Sequence, residues 1–376
     1  MDVILRGILR YVAILVAAVI VFSAATYLDR APRGPKNVGD LSRPQMTQAP
    51  AEETAETADQ IPWWEETQPA QTTESVEESP VQSYRLTFVG DCTLGCRANR
   101  IYAETGYTHV IGEDYTYPFR NVAEYFSGDD FTLINMEGVL FDNGYTVNDS
   151  VYYYGPTSYV NILTESSVEA VSLANDHGRD YGERGYKSTV STLESAGIPY
   201  VDREKSLIVT TESGLTIGIY GGVYFYVDED RMVKEISALR EQADLVIFVP
   251  HWGEVNSYQP NAHQKRLAYA AVDAGADIVY GNHPGVLQNV EEYNGSIIYY
   301  SLGTFSHGGA VYPSDYDTAL IQQEVIRDAD GTVRLGEMLV VPASMSSTEG
   351  RNDYQPRPYE TGSEEYLRVM GKLGLA

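Results

Sequence analysis

Short apolar runs of strand length alternate with amphipathic stretches of helix length, and this alternation constrains the fold more than any other feature. The first strand-like runs are RLTFVGD (85–91), FTLINMEG (131–138) and VEAVSLANDHG (168–178). Helical patterns follow at 186–197 and 232–242. Strands that alternate with helices predict a layered α/β sandwich.

The alternation continues through the second half of the chain. Further strands are predicted at 215–222, 244–253, 277–285 and 296–303, and a helix at 263–275. The runs TALIQQEVI (318–326) and VRLGEMLVV (333–341) predict a β-ribbon, and a short apolar helix is expected at the end of the chain.

Carboxylates and imidazoles stand directly after five of the apolar runs, as Asp91, Glu137, Asp176 with His177, His251 and His283. Ligands of open α/β sheets gather at the carboxyl ends of the strands, so five segments would deliver these groups to one rim. Mixed oxygen and nitrogen ligands suit Mn, Fe or Zn better than Ca. Each residue alone has an ordinary explanation as a cap or a hydrogen-bonded core residue, and the predicted metal site rests on their coincidence.

The N-terminal region carries an uninterrupted uncharged run from Tyr11 to Leu28, preceded by Arg6 and Arg10. At about 1.5 Å per residue such a helix nearly crosses a hydrocarbon core of about 30 Å. We therefore predict an uncleaved signal anchor within residues 1–30, with cleavage near Ser23 as the alternative. The remaining chain would then be extracytoplasmic, on a single-pass protein of the cell membrane.

Composition divides the remaining chain into three parts. Residues 31–83 are rich in Pro, Thr and Glu and lack apolar periodicity, which predicts a disordered acidic tether. Residues 84–345 would form the α/β domain and residues 346–376 a C-terminal extension. The net charge of −27 argues against nucleic acid as a partner, because phosphate binding needs basic patches.

The two cysteines, Cys92 and Cys96, exclude a disulfide-rich scaffold and leave open either one short bridge or two free thiols. Side chains alternate along a strand, so Cys92 should face away from Asp91 and pack locally.

Six motifs follow one another between Phe88 and Phe305: FVGDCTLG, NMEG, SLANDHGRDYG, HWGEVNSYQPNAHQ, YGNHPGVLQNVE and YSLGTF. Their order and internal spacing resemble those of the CapA/PgsA family of capsule (poly-γ-glutamate) synthesis proteins. The resemblance implies an α/β/β/α sandwich similar to calcineurin-like metallophosphatases.

The resemblance also implies roles for the residues after the strands. Asp91 would be a first metal ligand and Glu137 a bridging one, while Asp176, His251 and His283 would hold a second metal.

Two further residues acquire roles by the same resemblance. His177 would donate a proton to a leaving group. Asp180, grouped with it as a catalytic candidate, would support it or cap the following helix.

Several positions depart from the family pattern. Asp176 and Thr304 stand where the family has Asn, and Asn282 and Gly285 replace two histidines. Because glycine offers no side-chain ligand, we expect one metal position to be weakened while the position of Asp176, His251 and His283 persists.

Three functions remain open. The resemblance implies a membrane-anchored partner of polymer synthase and export proteins that helps to make, export or attach poly-γ-glutamate. The alternatives are a metal-dependent hydrolase of phosphoester or amide bonds in the cell envelope, and a scaffold with a degenerate site. Direct binding of an anionic polymer would need bridging cations or a local basic groove, and the sequence shows no such groove.

Overall fold

Two large β-sheets stacked face to face form the centre of the fold in the computed structural model, which describes residues 80–97, 100, 103–142, 151–224 and 227–376. The strands are, in chain order, β1 (Gln82–Val89), β2 (Asp91–Thr93), β3 (Cys96–Arg97), β4 (Phe131–Asn135), β5 (Val139–Leu140), β6 (Tyr153–Gly155), β7 (Ala170–Ser172), β8 (Tyr200–Val201), β9 (Leu207–Thr210), β10 (Thr216–Val223), β11 (Leu245–His251), β12 (Ile278–Tyr280), β13 (Val290–Tyr293), β14 (Ser296–Tyr299), β15 (Thr304–His307), β16 (Asp317–Arg327), β17 (Val333–Ser344) and β18 (Arg357–Pro358).

The described α-helices are α1 (Tyr107–Ile111), α2 (Ala123–Ser127), α3 (Val160–Thr164), α4 (Gly182–Ala196), α5 (Glu229–Arg240), α6 (Ala262–Asp273) and α7 (Glu364–Lys372). Short 3₁₀ helices cover Tyr117–Val122 and Thr157–Tyr159. Helix α6 shows how local sequence sets a boundary. The Asn261 side chain accepts from the backbone N–H of Gln264, and the backbone N–H of Asn261 donates to Gln264 Oε1.

The first sheet has the order β18-β17-β16-β1-β4-β7-β8 and the second the order β13-β14-β12-β11-β10-β9. Strands β1, β4 and β7 run parallel, as do β10, β11 and β12, so their carboxyl ends share an edge in each sheet. The predicted ribbon is the antiparallel pair β16 and β17, and β16 also pairs with β1.

Apolar side chains separate the layers. Residues of both sheets, such as Phe88 and Ile247, form one buried core between them. A second core, including Leu193 of α4, covers the outer face of the first sheet, and a third, including Ile236 of α5, covers the second. The layered α/β architecture predicted from the alternation is confirmed.

Some predicted strands are shorter than their apolar runs. The run at 168–178 contributes only the three residues of β7, because the chain turns after Ser172 and the N–H of Asn175 bonds to the carbonyl of Leu173. The small sheet β3-β6-β5 has no counterpart in the predictions, since its two- and three-residue strands are too short to show alternation.

The C-terminal residues belong to the same compact unit as the sheets. Strand β18 pairs with β17, and the expected closing helix is α7. Within the described ranges no helix combines the length and apolarity needed to span a bilayer. The predicted anchor at Tyr11–Leu28 and most of the tether lie outside those ranges.

Candidate metal centre

The edges formed by the carboxyl ends of the two parallel strand sets meet, and the predicted site residues lie at this junction. Asp91 follows β1 after a single glycine, Glu137 follows β4, and Asp176 follows β7. His251 ends β11 in the second sheet, and His283 follows β12. The backbone N–H of His283 donates to Asp91 Oδ2 at 3.1 Å, which joins the two sheets directly.

Close backbone packing brings Asp91 to this position. A Cβ atom on Gly90 would lie 2.4 Å from the carbonyl oxygen of Gly303, so only glycine fits there. The N–H of Asp91 then bonds to that same carbonyl at 2.9 Å. His283 has a positive φ of 100°, an uncommon conformation for a non-glycine residue that aims its ring toward His251.

Three ligand atoms converge at His251. Its Nε2 lies 2.9 Å from Asp176 Oδ1 and 3.0 Å from His283 Nδ1. The exposed fraction of the His251 side chain is 2%, whereas that of Asp176 is 42%, so the cluster opens to solvent through the carboxylate. The three ligand atoms lie within 4.8 Å of one another, close enough to bind one metal ion.

The protonation states of these groups suit metal binding. Burial and the neighbouring His251 lower the pKa of His283 to about 4, leaving its ring neutral. Burial alone would lower the pKa of His251, but its hydrogen bond to the Asp176 carboxylate raises it. Burial alone would raise the pKa of Asp176, yet its bond with His251 holds that pKa well below the usual range. A divalent cation that binds among these three groups would therefore have to displace a proton from His251.

The other ring nitrogen of His251 faces a buried amide. Asn135 Nδ2 lies 3.5 Å from His251 Nδ1 and donates to Asp91 Oδ1 at 2.7 Å. Asn175 Nδ2 in turn donates to Asn135 Oδ1 at 3.0 Å. Because the amide nitrogen is a donor, it favours an unprotonated Nδ1 and leaves the proton of a neutral His251 ring on Nε2.

Glu137 lies between this cluster and a second group of polar side chains. Its Oε1 is 4.0 Å from His251 Nε2, and its Oε2 accepts from Thr93 Oγ1 at 2.9 Å. Burial, followed by the charge of Asp91, raises the pKa of Glu137 to about 7. Burial also raises the pKa of Asp91 itself.

His307 joins Glu137 on the side away from His251, and the sequence predictions missed it. Its Nδ1 lies 2.5 Å from Thr93 Oγ1 and 3.7 Å from Glu137 Oε2. His307 ends the short strand β15, so a position at a strand end, which identified the other residues, could have identified it as well.

His177 and Asp180 form a pair beside the cluster. His177 Nδ1 lies 2.9 Å from Asp180 Oδ2, and its Nε2 faces Asp176 Oδ1 at 3.9 Å. Burial alone would lower the pKa of His177, but Asp180 and then Glu137 raise it to about 9. The alternative of Asp180 as a helix cap is wrong: α4 begins after Tyr181 without a side-chain cap, and Asp180 instead accepts from the N–H of Tyr153.

The two cysteines are buried free thiols. Cys92 Sγ lies 3.5 Å from the carbonyl of Gly90 and packs in the core of the first sheet, as its alternation with Asp91 predicted. Burial raises the pKa of both thiols, so neither resembles a thiolate metal ligand.

Comparison with known proteins identifies the family. The model of the bacterial capsule synthesis protein family, PGA_cap, matches residues 85–308, which is more than half of the chain. The chain belongs to this family. The six motifs quoted above run from Phe88 to Phe305 and all lie within the matched residues.

Two curated relatives of this PGA_cap chain match over most of its length. The capsule biosynthesis protein CapA of Bacillus anthracis is 30% identical over 317 residues, which cover 77% of this chain and 72% of the relative. The PGA biosynthesis protein CapA of Bacillus subtilis is 29% identical, with coverages of 65% and 68%.

Among solved structures, the PGA_cap chain is similar to the NAD nucleotidase of Haemophilus influenzae, with a TM-score of 0.41, 10% identity, and coverage of 79% of this chain and 63% of that one. A purple acid phosphatase from yellow lupin gives a TM-score of 0.36, 13% identity and coverages of 76% and 55%. Because both scores are low, the functional argument rests on the side chains of this chain.

Proposed function

We propose that this protein takes part in the synthesis of a poly-γ-glutamate capsule and that its site is a divalent-metal centre serving that role. Membership of the capsule synthesis family and the names of the two Bacillus relatives support the biological role. The convergence of Asp176, His251 and His283 supports the metal centre, and it is the observation that carries this part of the proposal.

The donor set favours a transition metal. Two imidazole nitrogens and a carboxylate oxygen suit Mn, Fe or Zn. When bound, such an ion polarises a coordinated oxygen and lowers the pKa of a coordinated water. Glu137, with one oxygen toward His251 and the other toward Thr93, is placed to contact a second ion if one binds.

A metal-dependent hydrolase of cell-envelope substrates is the second candidate, and the His177–Asp180 pair favours it. Asp180 binds the Nδ1 side of the ring and leaves Nε2 directed to the cluster. A histidine whose pKa is raised to about 9 is protonated at neutral pH and can give its proton to a leaving group. A scaffold role is the third candidate and requires that no metal bind.

The cellular setting is part of the same proposal. The apolar run at 11–28 and the acidic segment that follows it support an anchored domain outside the cell membrane. Its partners there would be polymer synthase and export proteins in the membrane, with the anionic polymer as the substrate or cargo.

The deciding experiment measures metal in the full chain purified without chelator, by elemental mass spectrometry. We expect one or two Mn, Fe or Zn ions per chain and loss of at least one in His283→Ala. The matched control is His109→Ala, which removes an exposed imidazole from α1, away from the cluster. Hydrolysis of a model phosphodiester that stops with chelator would favour the hydrolase. Absence of metal after Mn and Zn are supplied would leave the scaffold.

A further inference from the structure

Thr93 and His307 lie beside Glu137, on the side away from His251, and form a hydrogen-bonded chain with its carboxylate. Thr93 Oγ1 donates to Glu137 Oε2 at 2.9 Å. His307 Nδ1 lies 2.5 Å from the same Thr93 oxygen and 3.7 Å from Glu137 Oε2. The side chains of Glu137 and His307 are only 11% and 15% exposed and Thr93 is buried, so water competes little for these bonds.

The direction of each hydrogen bond in this chain follows from the hydrogens available. A carboxylate that binds a metal carries no hydrogen of its own. The hydroxyl of Thr93 has a single hydrogen, which is directed to Glu137. The Thr93 oxygen can then only accept from the ring, so His307 carries a hydrogen on Nδ1 and donates it. Two hydrogen bonds in series therefore point toward one oxygen of Glu137.

The backbone fixes both residues that support Glu137. Strands β2 and β15 run parallel, and His307 is the register partner of Thr93. The N–H of Gly308 donates to the carbonyl of Thr93 at 3.1 Å. A Cβ atom on Gly309 would collide with His307 Nε2, so only glycine lets the chain pass this close to the ring. The Tyr153 ring packs edge-on against the imidazole, with centroids 5.5 Å apart.

A residue near the C-terminus holds the turn that follows His307. Asn352 is 2% exposed, and its Nδ2 donates to the carbonyls of His307 and Ala310 at 2.9 and 3.0 Å. The backbone N–H of Asn352 donates to the carbonyl of Val311 at 2.7 Å. These bonds limit the movement of the backbone that carries His307. The segment predicted as a C-terminal extension thus supports the candidate centre.

The chain of hydrogen bonds decides where the second oxygen of Glu137 points. With Oε2 held by Thr93, Oε1 lies 4.0 Å from His251 Nε2, toward the cluster. A free glutamate side chain has several rotatable bonds and loses rotamer freedom when it is fixed. A ligand that is fixed before the metal binds loses less freedom on binding, and hydrogen bonds to metal-binding carboxylates commonly have this effect.

We propose that Thr93 and His307 are positioning residues that fix Glu137 as a metal ligand, with His307 acting through the Thr93 hydroxyl. This inference rests on the proposed function, because it takes the centre as one that binds a metal ion. It gives His307 a role in which its imidazole supports the centre without contacting the metal.

The test titrates the full chain, freed of metal by chelator and dialysis, with Mn²⁺ and separately with Zn²⁺ by isothermal titration calorimetry. Thr93→Val keeps the shape of the side chain and removes the hydroxyl, so it should weaken metal binding by about tenfold to a hundredfold. Thr93→Ser restores the hydroxyl and should recover most of the wild-type affinity. His307→Phe should weaken binding by less, because the Thr93 hydroxyl still donates.

The matched control is Thr211→Val, which removes a hydroxyl buried at the amino end of β10, away from the centre, and should leave the dissociation constant unchanged. Thermal unfolding of the metal-free samples shows that each variant is folded. Recovery in Thr93→Ser identifies the hydroxyl, rather than the packing of residue 93, as the cause of the lost affinity.

The outcomes separate this inference from the proposed metal centre. Wild type that binds neither ion contradicts the metal centre itself. Wild type that binds metal and loses it in His283→Ala, with unchanged affinity in Thr93→Val, overturns the positioning role alone. Failure of Thr93→Ser to recover affinity also overturns it, and unchanged affinity in His307→Phe overturns the part assigned to His307.

Discussion

Asn135 links the carboxylate and imidazole sides of the candidate centre through one buried amide. Its nitrogen faces both Asp91 Oδ1 and His251 Nδ1, and its oxygen accepts from Asn175. Asn135 therefore favours the tautomer of His251 that carries its proton on Nε2, and a metal that binds Nε2 must displace that proton. A residue of similar size without the amide nitrogen would remove this preference for one tautomer.

Gly285 is the position at which one side chain should change the metal content. A Cβ atom there would have Thr304 Oγ1 as its nearest neighbour, at 3.6 Å, and Thr304 lies beside Asp91 in the paired strands. We expect Gly285→His to raise the number of metal ions bound per chain, measured by elemental mass spectrometry. Its positive φ of 68° makes the substitution cost about 1–2 kcal/mol of stability.

Gly362→His is the control for that experiment, because it has a φ of 82°, open space around its Cβ position and no contact with the centre. It should cost similar stability and leave the metal content unchanged. Equal metal content in Gly285→His and wild type would contradict the expectation that Gly285 weakens one metal position.

Most residues of the candidate metal centre were predictable from the sequence, because they stand at the ends of strands. Asp91, Glu137, Asp176, His251 and His283 could be grouped because each follows an apolar run, and parallel strands bring such positions to one edge. The pairing of His177 with Asp180 depends on a turn whose geometry no periodicity encodes.

Among the secondary-structure elements, helix α7 is attached to the first sheet through a buried carboxylate. Asp317 begins β16, is 4% exposed, and accepts hydrogen bonds from Arg368 and Lys372 of α7 at 2.7 to 2.8 Å. The Tyr359 hydroxyl also donates to it, at 2.9 Å. The sequence predicted this closing helix from its apolar residues, and Val369 packs in the core. The ion pairs with Asp317 were not predictable, because the partners lie about fifty residues apart in the chain.

Asp317→Ala should lower the free energy of unfolding by about 1–3 kcal/mol at neutral pH, measured by urea denaturation, because it removes the buried acceptor of Arg368, Lys372 and Tyr359, while Lys372 keeps its pair with Asp315. The control Asp328→Ala breaks only the exposed pair with Arg334 and should cost no more than about 0.5 kcal/mol. Similar losses in the two variants would refute the anchoring role of Asp317.

The contribution of Asp317 should also depend on pH. Burial alone would raise its pKa, but the bonds from Arg368 and Lys372 outweigh burial and lower it from 3.8. A carboxylate with a lowered folded-state pKa stabilises the fold above its unfolded pKa, and this stabilisation is lost as the pH falls through the folded value. The difference between wild type and Asp317→Ala should therefore shrink below about pH 4.

Two parallel strand sets of the domain end at one junction, and the sequence predicted part of this arrangement. Alternating strands and helices predicted the layers, and the polar strand ends predicted that the site residues share one rim. That this rim joins the edges of two different sheets is a finding of the structure. The order of strands within each sheet was not predictable, since runs such as those of β4, β7 and β11 are similarly apolar throughout.

Metal binding should stabilise the whole domain, because the ligands of the proposed centre come from both sheets. At a free metal concentration of about one hundred times the dissociation constant, the free energy of unfolding should rise by about 2.7 kcal/mol. Thermal unfolding with Mn or Zn and with chelator measures this shift, which should disappear in His283→Ala. A shift of the same size in that variant would place the stabilising metal elsewhere.

Strand β1 lies inside the seven-stranded sheet, with β16 on one side and β4 on the other. A mechanical load between the chain before Gln82 and the metal centre would pull along the axis of this strand. The eight residue pairs between β1 and β16 would then be sheared together instead of opening one after another. The sheet would thus resist such a load before Asp91, which follows β1, is displaced.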